Sequence, residues 1–237
     1  MARKRDFTRT GAGGLRLYEK YFKRGLDILL AGGGLILLSP LYLALALLIR
    51  RKLGAPVIFA QRRPGLNGKL FSLYKFRSMT DERDADGVLL PDSRRLTAFG
   101  AALRSTSLDE LPELWNVLRG DMSLVGPRPQ LIRDMAFFDE KTMRRQSVPP
   151  GLTGLAQING RNTISWDEKF TWDLRYIERI SFAGDMRIMW RTLRKIFTRA
   201  DVTAAGMATA EDYGDYLLRL GRLTRAEYER VLAEIES

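Results

Sequence analysis

The stretch "LAGGGLILLSPLYLALALLIRR", residues 30–51, decides how this chain is built. It is apolar enough to leave water, and the question is whether it crosses a membrane or enters and returns. From Leu26 to Ile49 the one charged residue is Asp27. A straight helix over those residues would span roughly 36 Å, enough for a bilayer core. About 25 residues precede it and no small-residue cleavage pattern follows, so a cleavable signal is not expected. Pro40 has no N–H, and its ring clashes with the carbonyl of residue 36, so the helix should kink or break near Ser39. The Ser39 hydroxyl can satisfy a freed carbonyl. Each half is then roughly 18 Å long, too short to cross. Lys20, Lys23 and Arg24 precede the segment, and Arg50, Arg51 and Lys52 follow it. Lys and Arg favour the cytoplasmic side, so a span would strand one of these clusters. A helix–break–helix that enters and leaves on one side satisfies both. A kinked single span and a buried core helix are the alternatives that the pattern leaves open.

The 237 residues fit one domain, or one plus a small appendage. The chain has neither cysteine nor histidine. Disulfides, thiolate and imidazole metal sites, and Ser-His or Cys-His catalysis are thereby excluded. Acid–base work falls to Asp, Glu, Lys or Tyr, and any metal is a hard, oxygen-ligated ion such as magnesium. A formal net charge of +11 calls for an anionic partner: nucleic acid, anionic lipid or a phosphorylated substrate.

The expected architecture is α/β and helix-rich, with a small strand element. Residues 1–17 form a basic arm near lipid headgroups. Residues 18–52 hold the broken apolar helix, 53–203 a catalytic body and 204–237 a helical tail. In "VIFAQRRPGLNGKLFSLYKFRSM" (57–79) two short strands flank Pro-Gly and Asn-Gly turns. Residues 80–96 read as a polar loop, and Ala98–Arg119 as a helix interrupted around Ser105–Ser107. Residues 120–129 read as a turn-rich connection. Ile132–Gln146 reads as helix, and 148–161 as a Pro-Pro-Gly stop followed by a short strand-like run. Ser165–Arg179 and Asp185–Arg199 read as helices. The last of these gathers Met186, Met189, Trp190, Leu193, Ile196 and Phe197 on one face, with Arg187, Arg191, Arg194, Lys195 and Arg199 largely elsewhere. That suits an interfacial membrane helix, or equally an amphipathic helix packed on a core. In the tail, Thr224 and Glu227 form a capping box, and with "AEDYGDYLLRL" a helical hairpin results. The hairpin reads as a packing or oligomer element, which leaves a homodimer open.

The densest chemical stretch is "TSLDELPELWNVLRGDMSLVGPRP" (106–129). Ser107 and Glu110 fit a capping box that puts Asp109 and Glu110 in a first helical turn. Pro112 argues for a start one or two residues later. Either way a helix dipole favours an ionised carboxylate, as a nucleophile needs, although such acids are also ordinary on solvated helices. In "YKFRSM" (74–79), Lys75 and Arg77 would share one strand face, which suits a diphosphate or plain solvent. Arg128 sits between two prolines on stiff backbone, fit for a fixed phosphate contact or a turn. Asn159 and Arg161 in "NGRN" either read a nucleotide or make a turn.

The order of a Ser-Pro-broken apolar helix, "RPG", "YKFRSM", "RSTSLDELPELWNVLRGDMSLVGPRP", "PGLTGLAQINGRN" and "ISW" resembles the bacterial sugar transferases, the monotopic phosphoglycosyl transferases. Within them it is most similar to the small N-glycan-initiating form, over roughly residues 18–203. The resemblance implies transfer of a sugar-1-phosphate from a UDP-sugar to undecaprenyl phosphate at the cytoplasmic face of the inner membrane, with release of UMP. It implies Asp109 as nucleophile, forming a covalent phosphosugar intermediate, and Glu110 as base or positioner of the lipid phosphate. Magnesium would sit at Asp109 and the diphosphate. Lys75, Arg77, Arg104 and Arg128 would form the cationic site, and Asn159 and Arg161 would contact the nucleotide. The segment would be re-entrant, with Ser39-Pro40 at its turn. Membrane lipid is then the anionic partner and nucleic acid is not expected. Similarity around "NGRNTISW" points to an N-acetylated amino sugar such as diacetylbacillosamine. The rival reading, a non-enzymatic basic peripheral protein binding anionic lipid or nucleic acid, fits the charge but gives no reason for the Asp109-Glu110 pair. The polytopic enzymes of the same reaction need many spans, and this chain offers one candidate.

Overall fold

A computed structural model describes residues 17–160, 163–198 and 211–236. All of the expected basic arm but Leu17 lies outside these residues, as do Arg161 and Arg199.

The apolar segment is two helices, α1 (Lys23–Leu37) and α2 (Ser39–Lys52), and a π-helical turn, Tyr18–Phe22, runs into the first. The two are bent by 61°, and among the described residues no single helix is long and apolar enough to cross a membrane. Pro40 is tolerated because it falls in the first turn of α2. The Ser39 hydroxyl donates to the Ile36 carbonyl at 2.8 Å. That is the carbonyl a proline four residues on leaves without its amide. Leu29, Ile36, Leu37, Leu43 and Leu47 are all more than half exposed, an apolar surface with no protein against it.

The charged residues of α1 face inward, whereas Arg50, Arg51 and Lys52 at the end of α2 are exposed. Asp27 accepts from the Leu124 amide at 3.0 Å. Arg24 donates to the Val117 and Leu118 carbonyls, which close the helix Glu113–Arg119, introduced below as α4. Lys23 pairs with Asp185, which also accepts from the Tyr18 and Tyr176 hydroxyls at 3.0 Å each. A single apolar helix is thus tied to the body by its few polar side chains.

The expected hairpin is present: β1 (Ile58–Pro64) pairs antiparallel with β2 (Leu70–Phe76). Then come α3 (Ala98–Ser105), a 3₁₀ turn at Leu108–Glu110 and α4 (Glu113–Arg119). The expected Ser107–Glu110 capping box does not form. Ser107 has a left-handed backbone (φ 56°) and its side chain caps nothing, so the helix starts only after Pro112. The turn-rich connection contains β3 (Ser123–Val125), parallel to β4 (Gly151–Thr153). A Cβ at Gly151 would lie 2.1 Å from the Gly126 amide nitrogen, so only glycine lets these backbones meet. The expected helix over Ile132–Gln146 is broken into Ile132–Met135, Glu140–Met143 and a 3₁₀ turn at Arg144–Ser147. The Asp139 side chain starts the second piece by accepting from the Thr142 amide. The strand-like run after Pro150 is only three residues long and passes into a helical turn, Leu155–Ile158.

The remaining helices are α5 (Trp166–Glu178), α6 (Phe182–Thr198), α7 (Tyr213–Arg219) and α8 (Arg225–Glu236). The apolar face expected on α6 is divided. Met189 packs against the core while Trp190 and Leu193 are more than half exposed, and Ile188, outside the expected face, is buried. The Thr224–Glu227 capping box at α8 is present. The α7–α8 hairpin is docked on the body: Tyr213 and Tyr216 join Trp166 and Phe170 in one aromatic cluster. The main core joins Ala31 of α1 to Leu114 and Val117 of α4, Val125 of β3 and Ile177 of α5.

Candidate active site

The site forms where β2 meets the start of α4, and Asn116 fixes that meeting. Its side-chain oxygen accepts from the Tyr74 amide at 3.0 Å and its side-chain nitrogen donates to the Ser72 carbonyl at 2.7 Å. The carboxamide satisfies main-chain groups on the edge of β2 away from β1, much as a further strand would. Lys75, next in the chain, is held against the acids of the Leu108–Glu113 stretch.

There Lys75 Nζ lies 2.9 Å from Glu110 Oε1 and 3.1 Å from Glu113 Oε1. Arg128 reaches Glu110 from the other side, donating through both terminal nitrogens to its two oxygens. Asp109 is 7% exposed, and among the described residues its carboxylate accepts no hydrogen bond or ion pair. Arg104 donates from Nε to Ser78 Oγ at 2.9 Å, close enough for its charge to act on Asp109.

These neighbours divide the carboxylates. Burial, reinforced by the Glu110 charge, pushes Asp109 up to about 6, against the pull of Lys75, Arg104 and Arg128. Burial would raise Glu110 too, but Arg128 and Lys75 outweigh it and hold that carboxyl well below the usual range. Glu113, 1% exposed, is pushed up to about 7 by burial and by Glu110. Lys75 is raised: burial opposes its charge, but Glu110 and Glu113 prevail. Arg128 is raised, chiefly by Glu110. The expected dipole-stabilised Asp109 is therefore not what is found. It precedes the helix proper, and desolvation outweighs any dipole.

The structure brings together Asp109, Glu110, Lys75, Arg104 and Arg128, but it does not bring Arg77 to them. Arg77 lies one residue beyond β2, buried, and donates from Nε to the Met79 carbonyl at 2.8 Å, with a second bond to the Ala55 carbonyl and an ion pair with Asp81 at 2.6 Å. The shared strand face with Lys75 does not form, because the strand ends at Phe76. Asn159 uses its side-chain nitrogen on the Leu155 carbonyl at 2.8 Å, closing the turn before it. Sequence reasoning did not single out Glu113 or Asn116. Glu113 was detectable in principle, since it lies three residues from Glu110 across Pro112.

A hard cation is compatible with these residues. Among them no three acidic side chains cluster as a ready cage. Magnesium ordinarily takes one or two carboxylates and fills its shell with substrate phosphate and water. The unpartnered Asp109 carboxylate supplies such an oxygen, whereas Glu110 is already held by Lys75 and Arg128.

Comparison with known proteins gives one family, described as bacterial sugar transferase, matched over residues 18–199. The chain is 49% identical to the uncharacterised sugar transferase EpsL of Bacillus subtilis, over 81% of this chain and 95% of that one. It is 42% identical to the UDP-glucose:undecaprenyl-phosphate glucose-1-phosphate transferase of Klebsiella pneumoniae, over 74% of this chain and 40% of that one. It is 39% identical to the UDP-N-acetylgalactosamine-undecaprenyl-phosphate N-acetylgalactosaminephosphotransferase of Aeromonas hydrophila, over 75% and 44% respectively.

Proposed function

The chain belongs to the bacterial sugar transferase family and is a phosphoglycosyl transferase, and from that premise we propose that it moves a sugar-1-phosphate from a UDP-sugar to undecaprenyl phosphate. The observation that carries the chemistry is one unpartnered, buried carboxylate among cations. Among the described residues Asp109 is left without an ion pair, while Glu110 holds Lys75 and Arg128 beside it.

In the first step an Asp109 oxygen attacks the phosphorus that bears the sugar. The bond to the bridging oxygen breaks and UMP departs, leaving an aspartyl-phosphosugar. In the second, a phosphate oxygen of undecaprenyl phosphate attacks the same phosphorus and the Asp109 oxygen leaves, restoring the carboxylate and giving the diphosphate-linked sugar. With a value near 6, Asp109 is mostly ionised at neutral pH. Glu110, ionised and doubly held, is a weak base. Its role is to hold Lys75 and Arg128 where the phosphates bind, and these cations with Arg104 offset the charge that two anionic substrates bring together. Magnesium would be held by Asp109 together with the donor diphosphate, and when bound it neutralises charge there. Arg161, with Asn159 nearby in the chain, is assigned to the nucleotide.

The apolar α1–α2 pair enters and leaves the cytoplasmic face of the inner membrane, which lets a soluble donor and a lipid acceptor meet. A 61° bend at Ser39-Pro40 and basic clusters at both ends support that reading. The donor sugar is assigned as an N-acetylated amino sugar such as diacetylbacillosamine, on the "NGRNTISW" stretch.

The deciding experiment is intact-protein mass after mixing detergent-solubilised enzyme with magnesium and a panel of UDP-sugars, without the lipid. The panel includes UDP-diacetylbacillosamine, UDP-N-acetylgalactosamine, UDP-glucose and UDP-galactose. A gain equal to one sugar phosphate, absent in Asp109→Asn, is expected, with turnover in that variant down on the order of a thousandfold or more. Lipid product without any adduct would overturn the covalent route. Because the chain lacks cysteine, Leu17→Cys and Lys52→Cys report topology directly. A membrane-impermeant maleimide should label both only in inside-out vesicles, and labelling from opposite sides would rule out re-entry.

A further inference from the structure

The hairpin of residues 211–236 lies beyond the family match, yet its contacts lead to the site. Tyr213 of α7 packs edge-on against Phe138 and Phe170, with ring centres 5.7 and 5.0 Å away. The same two rings, 5.1 Å apart, lie together over the Arg145 guanidinium, each centre 5.7 Å from it. Arg145 is buried and pairs with Asp173 at 2.6 and 3.0 Å. It also donates to the main-chain carbonyl of Arg128 at 2.6 Å.

We propose that the C-terminal hairpin is a positioning element for Arg128, acting through Phe138, Phe170 and Arg145. The inference rests on Arg128 serving as the phosphate-binding cation described above. Pro127 and Pro129 have fixed φ. Orientation of the Arg128 side chain then depends largely on the residue's own backbone torsions, and a grip on its carbonyl restricts them. Arg145 provides that grip only while its planar group stays in one orientation. Asp173 holds one edge of the group, the pair of rings packs against it from one side, and Tyr213 packs against both rings. Arg145 does not touch the Asp109–Glu110 cluster, so its part is positioning. An ordinary packing role for the hairpin would affect melting alone and leave turnover untouched at temperatures where the fold is intact.

The test uses the full chain in detergent with two independent perturbations and one control. Tyr213→Ala removes the ring, and Tyr213→Phe keeps it. Gly214→Ala adds a Cβ that would lie 2.6 Å from the Phe137 ring, lifting the hairpin without touching Tyr213. One readout is hydrogen exchange at the Gly151 amide, which donates to the Pro127 carbonyl at 2.9 Å. The other is kcat and KM with whichever UDP-sugar turns over. Both alanine variants should speed exchange at Gly151 and lower kcat roughly ten- to a hundredfold, as for a catalytic group displaced by about 1 Å. KM for the donor should change little, and Tyr213→Phe should match the parent on both readouts. Faster exchange within α7 while Gly151 exchange and kcat stay unchanged would overturn the proposal. Arg128→Ala separates the premise. If it retains full turnover, the reading of Arg128 fails. Gly151 exchange in Tyr213→Ala then still decides the mechanical link, with faster exchange supporting it and unchanged exchange overturning it.

Discussion

The Arg145–Asp173 pair is fully buried and the Lys75–Glu110–Glu113 cluster half-buried, and the two are balanced differently. In the first, one cation meets one anion, each side chain is 2% exposed, and two hydrogen bonds join them. In the second, Glu110 and Glu113 share Lys75, Glu110 also holds Arg128, and Asp109, buried beside them, has no ion pair among the described residues. Balance makes a scaffold. Acids buried beside one another titrate late and remain available to a ligand. Arg128 belongs to both regions: its carbonyl is held by Arg145 and its guanidinium holds Glu110.

The contrast predicts different failures. Arg128→Lys keeps the charge but loses the two-pronged contact with Glu110. Transfer should drop about a hundredfold, comparable to removal of one transition-state donor, with the melting temperature nearly unchanged. A large stability loss instead would make Arg128 part of the scaffold. Asp173→Ala should do the reverse to stability, costing about 3–5 kcal/mol because it leaves Arg145 charged and buried alone. Arg145→Met combined with Asp173→Leu should recover most of that stability, since apolar replacement of both partners is tolerated. It should not recover kcat if the Arg145 grip on Arg128 matters. Recovery of both would break the link between the regions.

The smallest effect concerns pH. Glu113 ionises near 7 in the folded protein, against an ordinary value of 4.5. The folded state therefore keeps a proton that the unfolded chain gives up, and stability contributed by Glu113 falls as pH rises from about 4.5 to about 7. Asp109 acts in the same direction up to about 6. Melting curves across this range should flatten in Glu113→Gln. An equal slope in parent and variant would mean that Glu113 is ionised throughout.

The legible parts were those that depend on local chemistry. The Ser39-Pro40 break follows from a missing amide and a hydroxyl one residue away. The β1–β2 hairpin follows from its turn residues, and the Thr224–Glu227 cap from a reciprocal bond three residues apart. Asp109, Glu110 and Arg128, singled out by their motifs, are brought together in the structure. Less legible were groups whose partners are distant in sequence. Asn116 acts on β2 some forty residues earlier. β3 and β4 pair in parallel across an intervening segment that no local pattern announces. Arg77 looked like a companion of Lys75 because alternation assumes that the strand continues, and it stops one residue short.

The sequence by itself determined the broken apolar helix, the absence of thiol and imidazole chemistry, the order of motifs and thus the family. Each of these is written in residue type and short spacing. Only the tertiary structure decided the state of each charge. It holds Glu110 ionised, leaves Asp109 without an ion pair among the described residues and raises Glu113 to near neutrality. Burial and the approach of Lys75 and Arg128 from distant parts of the chain set those energies, and neither can be read from a residue's immediate neighbours.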